Sequence, residues 1–173
     1  WFAEHHGFRP ERSWFVTTPG VVFALSAAVR AFTNEGDGVL IQPPVYYPFK
    51  NTIEDNGRIV VEAPLFCSFD DTGELRYRID FDAFEKTVRE KTPKLFILCN
   101  PANPVGRAWT KDELSRIAEI CLENDVVIVS DEIHADFAQA GHAHTSLALL
   151  GDDVLARSII CTSPSKTFNI AGL

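Results

Sequence analysis

The chain has 173 residues, 46% of them hydrophobic, and a formal net charge of −8. That length and apolar content suit one folded domain with a sizeable core and exclude a disordered chain. An acidic chain without a basic stripe argues against nucleic-acid and anionic-membrane partners. No apolar run is long enough to span a bilayer.

In chain order, Ser13-Trp14-Phe15-Val16-Thr17 reads as a short strand. Thr18-Pro19-Gly20 then turns into an apolar helix over 20–32, with Thr18 as N-cap and Pro19 at the first helical position. Val39-Leu40-Ile41 is a buried strand that runs into the proline-rich loop Gln42-Pro43-Pro44-Val45-Tyr46-Tyr47-Pro48, and the helix after it ends near Asn56-Gly57. Residues 58–62 form a strand, and the polar stretch 67–77 reads as a loop. The second half alternates more regularly. A helix over 80–91 and a strand over 94–99 lead to a helix over 110–124, whose Thr110 and Glu113 have capping-box spacing. Strands over 126–130 and 158–162 follow, ending at Asp131 and near Ser163. Apolar strands alternating with amphipathic helices predict an α/β fold: a mostly parallel sheet with helices on both faces. No repeat, low-complexity tract or linker divides the chain, so 1–173 is read as one domain. It opens on Trp1, has no Met and stops at Leu173 directly after a motif, so a piece of a longer protein is expected.

Cys67, Cys99, Cys121 and Cys161 are widely spaced, with no C-x-x-C pair. They read as buried reduced thiols, which suits a cytoplasmic compartment. His5, His6, His142 and His144 lack the spacing of a metal set and read as surface residues.

In an open α/β sheet, ligands bind beyond the carboxyl ends of the strands. Here those positions hold Thr18-Pro19-Gly20, Pro44-Val45-Tyr46, Asn100, Asp131 and Ser163-Pro164-Ser165-Lys166. A glycine turn that opens a helix suits a phosphate, with Ser163 and Ser165 as further donors. An aromatic ring stacks on a flat heterocycle. Asp131 holds a ring nitrogen protonated, and Lys166 forms an imine with an aldehyde. Together these features describe pyridoxal phosphate.

Three ordered motifs carry a resemblance: Asn100-Pro101-Ala102-Asn103-Pro104-Val105-Gly106-Arg107, Ser130-Asp131-Glu132-Ile133-His134, and Ser163-Pro164-Ser165-Lys166-Thr167-Phe168-Asn169-Ile170-Ala171-Gly172-Leu173. They are similar to those of fold-type I pyridoxal-phosphate enzymes of the class I/II aminotransferase family. With Pro43-Pro44-Val45-Tyr46-Tyr47-Pro48-Phe49, they more narrowly resemble the cystathionine (cysteine-S-conjugate) β-lyase branch. The resemblance implies the large, cofactor-binding domain of such an enzyme, incomplete here. It makes Lys166 the Schiff-base lysine and Asp131 the partner of the pyridine nitrogen. Asn103 and His134 stand at the ring's phenolic oxygen, although many aminotransferases have Tyr at the second position. Tyr46 is the stacking ring, with Tyr47 as runner-up, and Asn100 holds the loop. Ser163 and the turn of Gly20, Val21 and Val22 contact the phosphate; Val21 and Val22 offer only backbone N–H. The resemblance also implies a homodimer and a small amino-acid substrate. The substrate-carboxylate arginine lies in a C-terminal domain beyond Leu173.

Three functions are compatible with these parts. The favoured one is α,β-elimination from cystathionine or cysteine S-conjugates, with Lys166, freed in a sheltered pocket, as general base. The second is transamination to a 2-oxo acid. The third is a non-catalytic, aminotransferase-like sensing domain of a transcription regulator.

Overall fold

Strands and helices alternate along most of the chain, interrupted where three strands follow one another over 59–78. The computed structural model describes residues 1–139 and 141–172. In order these form α1 (Phe2–His5), α2 (Val21–Phe32), β1 (Gly38–Ile41), α3 (Pro48–Glu54), β2 (Ile59–Glu62), β3 (Phe66–Phe69), β4 (Leu75–Arg78), α4 (Phe81–Lys91), β5 (Leu95–Cys99), α5 (Lys111–Glu123), β6 (Val127–Asp131), α6 (Asp152–Ala156), β7 (Ser158–Cys161) and α7 (Pro164–Thr167). Leu173, the last residue of the third motif, lies outside the described residues.

Five strands form one sheet in the order β2-β1-β5-β6-β7, every pair parallel. The chain steps from β1 to β2 on one side and resumes at β5 on the other. That reversal opens a crevice at the carboxyl edge, where open α/β sheets place ligands.

Alternate side chains along each strand enter opposite layers. Leu40, Phe96, Leu98 and Ile128 pack with Phe84 and Val88 of α4 and with Leu114, Ile117 and Cys121 of α5. Val39, Ile41, Leu95, Ile97 and Val129 pack with Val21, Leu25 and Val29 of α2 and with Phe49 and Ile53 of α3. All five residues of β5 are buried, which is why this strand reads as an unbroken apolar run. The predicted capping box is present on α5. Thr110 Oγ1 accepts from Glu113 N at 3.2 Å, and Glu113 Oε2 accepts from Thr110 N at 2.9 Å.

Three local expectations are corrected. Residues 13–17 are not a strand: 12–14 form a 3-10 turn, and nothing among the described residues pairs with the extended segment after it. Trp14, Phe15 and Val16 are consequently exposed. Thr18 does not cap α2; the N-cap is Gly20, and Thr18 Oγ1 instead donates to Gly20 O at 3.2 Å. The stretch 67–77 is not a loop but most of the antiparallel β3–β4 hairpin. Its turn is organised by Asp70, which accepts from Thr72 N, Thr72 Oγ1, Glu74 N and Arg76 Nε. The hairpin is largely exposed, so its polar composition carries no core-facing period. For the same reason Cys67 is exposed, whereas Cys99, Cys121 and Cys161 are buried as expected.

Phe96 is fully buried with its ring 5.5 Å from that of Phe84. Urea unfolding of Phe96→Ala is expected to show a loss of about 3–5 kcal/mol, the cost of a large core cavity. Thr110→Ala is expected to cost about 1 kcal/mol, the worth of one N-cap. Equal losses would contradict this ordering of core over cap.

Candidate active site

Cys99, Asp131 and Cys161 lie in register at the ends of β5, β6 and β7. In-register residues of parallel strands share a face, so Asp131 stands between two thiols on the side covered by α2. The same apolar layer contains Val21 from the start of α2, with Tyr46 and Ile133 packed against it. The proline-rich loop, the start of α2 and the ends of three strands therefore meet at one edge, as the sequence predicted.

Asp131 is buried, and Ile133 N donates to its Oδ1 at 3.1 Å. Burial, reinforced by the neighbouring Glu132 charge, pushes its carboxyl up to about 6; the Ile133 hydrogen bond opposes this. Burial also pushes the flanking Cys99 and Cys161 thiols up to about 12. The flanks are thus neutral, and Asp131 is a desolvated carboxylate suited to a cationic partner.

The first turn of α2 is uncapped. No side chain caps this 12-residue helix, and Gly20 leaves open space in front of it. The N–H groups of Val21 and Val22 accordingly make no hydrogen bond to the described residues. Ser163 Oγ accepts from Ser165 N at 3.2 Å and lies 3.0 Å from Ser165 Oγ, so it caps α7. Lys166 follows on that turn and is exposed on this chain, not sheltered as expected. His134 is half-buried, and its imidazole is held below the ordinary value by burial first and by the Lys166 charge second. A neutral imidazole therefore neighbours the lysine. His134 and Asn103 line one cavity of about 710 Å³, and Asn103 N donates to Cys99 Sγ at 3.3 Å. Tyr46 is half-buried, its ring edge-on to Phe49 at 6.1 Å, while Tyr47 is exposed. Asn100 is fully buried, and its Nδ2 donates to Thr145 O at 2.9 Å. That is the loop-holding role read from the sequence.

Two histidines read as surface residues are not. The His144 side chain is 2% exposed, and its Nε2 lies 3.0 Å from Glu132 Oε2. The His6 side chain is 7% exposed and pairs with Asp136 at 3.0 Å. Glu132 Oε1 also accepts from Ser130 Oγ and Leu147 N, which ties 144–147 beneath the sheet edge. One signal pointed there: consecutive residues at a strand end face opposite layers, so Asp131 and Glu132 cannot share one pocket. Nothing in the sequence marked His6 or Asp136. No cluster of three metal-ligating side chains exists among the described residues, and no helix among them is long and apolar enough to cross a membrane.

The fold and this edge define the class: the chain belongs to the family "Aminotransferase class I and II", whose profile matches residues 2–173. Among its relatives, cystathionine beta-lyase PatB of Bacillus subtilis (strain 168) is 47% identical over 173 residues, covering all of this chain and 43% of PatB. An aspartate aminotransferase of Bacillus sp. (strain YM-2) is 33% identical over 88% of this chain and 37% of its own length. The crystal structure of cystalysin from Treponema denticola, which contains a pyridoxal 5'-phosphate cofactor, superposes with a TM-score of 0.92 at 42% identity. It is covered for 42% of its length by 99% of this chain. The chain thus spans less than half the length of the relatives it matches.

The buried Asp131 has a pH signature. Below pH 3.8 its carboxyl is protonated in folded and unfolded chains alike, so ionisation costs nothing. Between 3.8 and about 6 the folded protein keeps a proton that the unfolded chain has released, so stability falls as pH rises. Above that window the cost is complete, up to about 3 kcal/mol. In protein dialysed free of small molecules, Asp131→Asn is expected to raise stability at pH 8 and to lose that advantage as pH falls toward 4. A gain independent of pH, measured by denaturant titration, would contradict the assignment.

Proposed function

We propose that this chain is the pyridoxal-phosphate-holding part of a carbon–sulfur β-lyase acting on cystathionine or cysteine S-conjugates by α,β-elimination. The observation that carries the reading is the desolvated Asp131 carboxylate, which shares the sheet edge with an uncapped helix start. A protonated pyridine nitrogen is the cation that such a carboxylate accommodates, and a phosphate is the anion that the α2 start accommodates. The residues present fit the cofactor.

In this reading Gly20, Val21 and Val22 hold the phosphate by backbone N–H, with Ser163 beside them. Tyr46 supplies the stacking ring. Asn103 and the neutral His134 supply polar groups for the phenolic oxygen. Bound pyridoxal phosphate supplies an electron sink that makes a substrate α-proton removable. Asp131 sustains that sink by keeping the ring nitrogen protonated. Lys166 would be the amine that holds the cofactor and, once a substrate amine has displaced it, would serve as the base for the substrate α-proton. Because Lys166 is exposed on this chain, the shelter it needs comes from other segments, and the reading includes a homodimer and a C-terminal substrate clamp. The compartment proposed is the cytoplasm, in keeping with four free cysteines. The higher identity to the lyase than to the aminotransferase favours elimination. Transamination is the second reading, since all the groups named serve it equally.

The full-length protein given cystathionine is expected to release pyruvate, ammonia and a thiol; a new amino acid formed from a keto acid would select transamination. Neither product would leave the sensing domain. Borohydride is expected to fix the cofactor on Lys166, and a label on Lys94 or Lys111 would refute the site. Asp131→Asn is expected to retain cofactor and lose most turnover, because an amide does not stabilise the protonated ring. The isolated 173 residues are expected to bind cofactor weakly, with negligible turnover beside the full-length protein.

A further inference from the structure

The turn that carries Lys166 is tied to two segments remote in sequence. Thr167 Oγ1 donates to Asp136 Oδ2 at 2.5 Å. Asp136 Oδ1 lies 3.0 Å from His6 Nε2. The ring of His6 stands edge-on to that of His144, with centroids 5.6 Å apart. His144 is in turn held by the buried Glu132. A second tie runs beside the first, where Trp1 packs on Phe168 at 5.3 Å and on His5 at 3.9 Å. Helix α1 and the residues around it therefore dock on α7 from the other end of the chain.

Helix α7 has little else to hold it. It is a single turn of four residues, none of them buried. A lone turn is not self-stabilising, since nucleation costs more than one turn returns. Phe168 and Ile170 beyond it are exposed, so among the described residues no core packing orients the lysine. Of the residues next to Lys166 on its C-terminal side, Thr167 reaches Asp136 and Phe168 reaches Trp1. Asp136 sits on the 3-10 turn whose N-cap is His134. The end of β6 thus presents Asp131 to the site, and the segment after it presents His134 to the Lys166 charge and Asp136 to the residue after Lys166.

We infer that Asp136 is a positioning residue for the cofactor lysine: by accepting from Thr167 and pairing with His6, it fixes the α7 turn and hence the direction of Lys166. Asp136 touches neither cofactor nor substrate in this scheme. The inference rests on the reading that Lys166 holds pyridoxal phosphate. The carboxylate acts here as a double acceptor, and an amide oxygen still accepts from Thr167. Asp136→Asn and Thr167→Ser therefore preserve the tie to the lysine turn, whereas Asp136→Ala and Thr167→Val break it.

The test uses the full-length protein loaded with pyridoxal phosphate. Visible circular dichroism of the bound cofactor reports its orientation, and steady-state kinetics per bound cofactor separates kcat from KM. Asp136→Ala and Thr167→Val are expected to change the visible dichroism and to lower kcat about 10- to 100-fold with little change in KM, the scale of a misplacement near 1 Å. Asp136→Asn and Thr167→Ser are expected to restore both. If Asp136→Ala does not fold, the Thr167 pair carries the test, because its partners stay in place. Unchanged dichroism and kcat in Thr167→Val, even with a lowered melting temperature, would overturn the inference and leave the site reading intact. Failure of borohydride to label Lys166 in the unsubstituted protein would overturn both.

Discussion

The constraint on which the site depends is the parallel register at the ends of β5, β6 and β7. It sets Asp131 between Cys99 and Cys161 on the face of the sheet that packs against α2. Parallel strands covered on both faces leave Asp131 only 5% exposed, so the carboxylate is largely desolvated by the fold itself. The two neighbours are thiols that burial keeps protonated, and they offer no compensating charge. An acid held near 6 in such a place is a standing demand for a cation. The same strand end sends Glu132 to the opposite layer, where Ser130, Leu147 and His144 satisfy it. Two adjacent carboxylates thus receive opposite treatment, one fully partnered and one poised.

Around that fixed point the remaining groups are carried by elements with little stability of their own. The lysine rides on a four-residue turn, His134 stands at the start of a 3-10 turn and Asn103 sits in a loop whose backbone is held by the Cys99 thiol. This division is physically reasonable. A rigid sheet supplies the charge that must not move, and short segments supply groups whose direction is set by contacts from far along the chain. The His6–Asp136–Thr167 links belong to that second set, as does the docking of Trp1 on Phe168.

The family and the residues that end each strand were legible because they depend on local order. The strands of the large sheet are short apolar runs that end at chemistry-bearing residues. The Asn100–Gly106 stretch, the Asp131–Glu132 pair and the Lys166 turn are the ordered motifs on which the resemblance to that family was read. Errors fell where local composition misleads. The apolar Trp14-Phe15-Val16 run has strand propensity but no partner strand among the described residues, and propensity without a ladder does not make a strand. The β3–β4 hairpin makes the opposite case: it is polar and exposed, yet it pairs because Asp70 closes its turn.

By itself the sequence determined the alternation that builds a parallel sheet, the capping of α5 and the identity of the residues at each strand end. These follow from neighbours a few positions apart, where hydrophobic period and side-chain capping act directly. The tertiary structure alone decided which of those residues share a face, that Lys166 is exposed on this chain, and that the side chains of His6 and His144 are buried. It also decided that Thr167 answers to Asp136, 31 positions away. Such contacts depend on how layers stack and how chain ends return to the sheet, and no period along the chain encodes them.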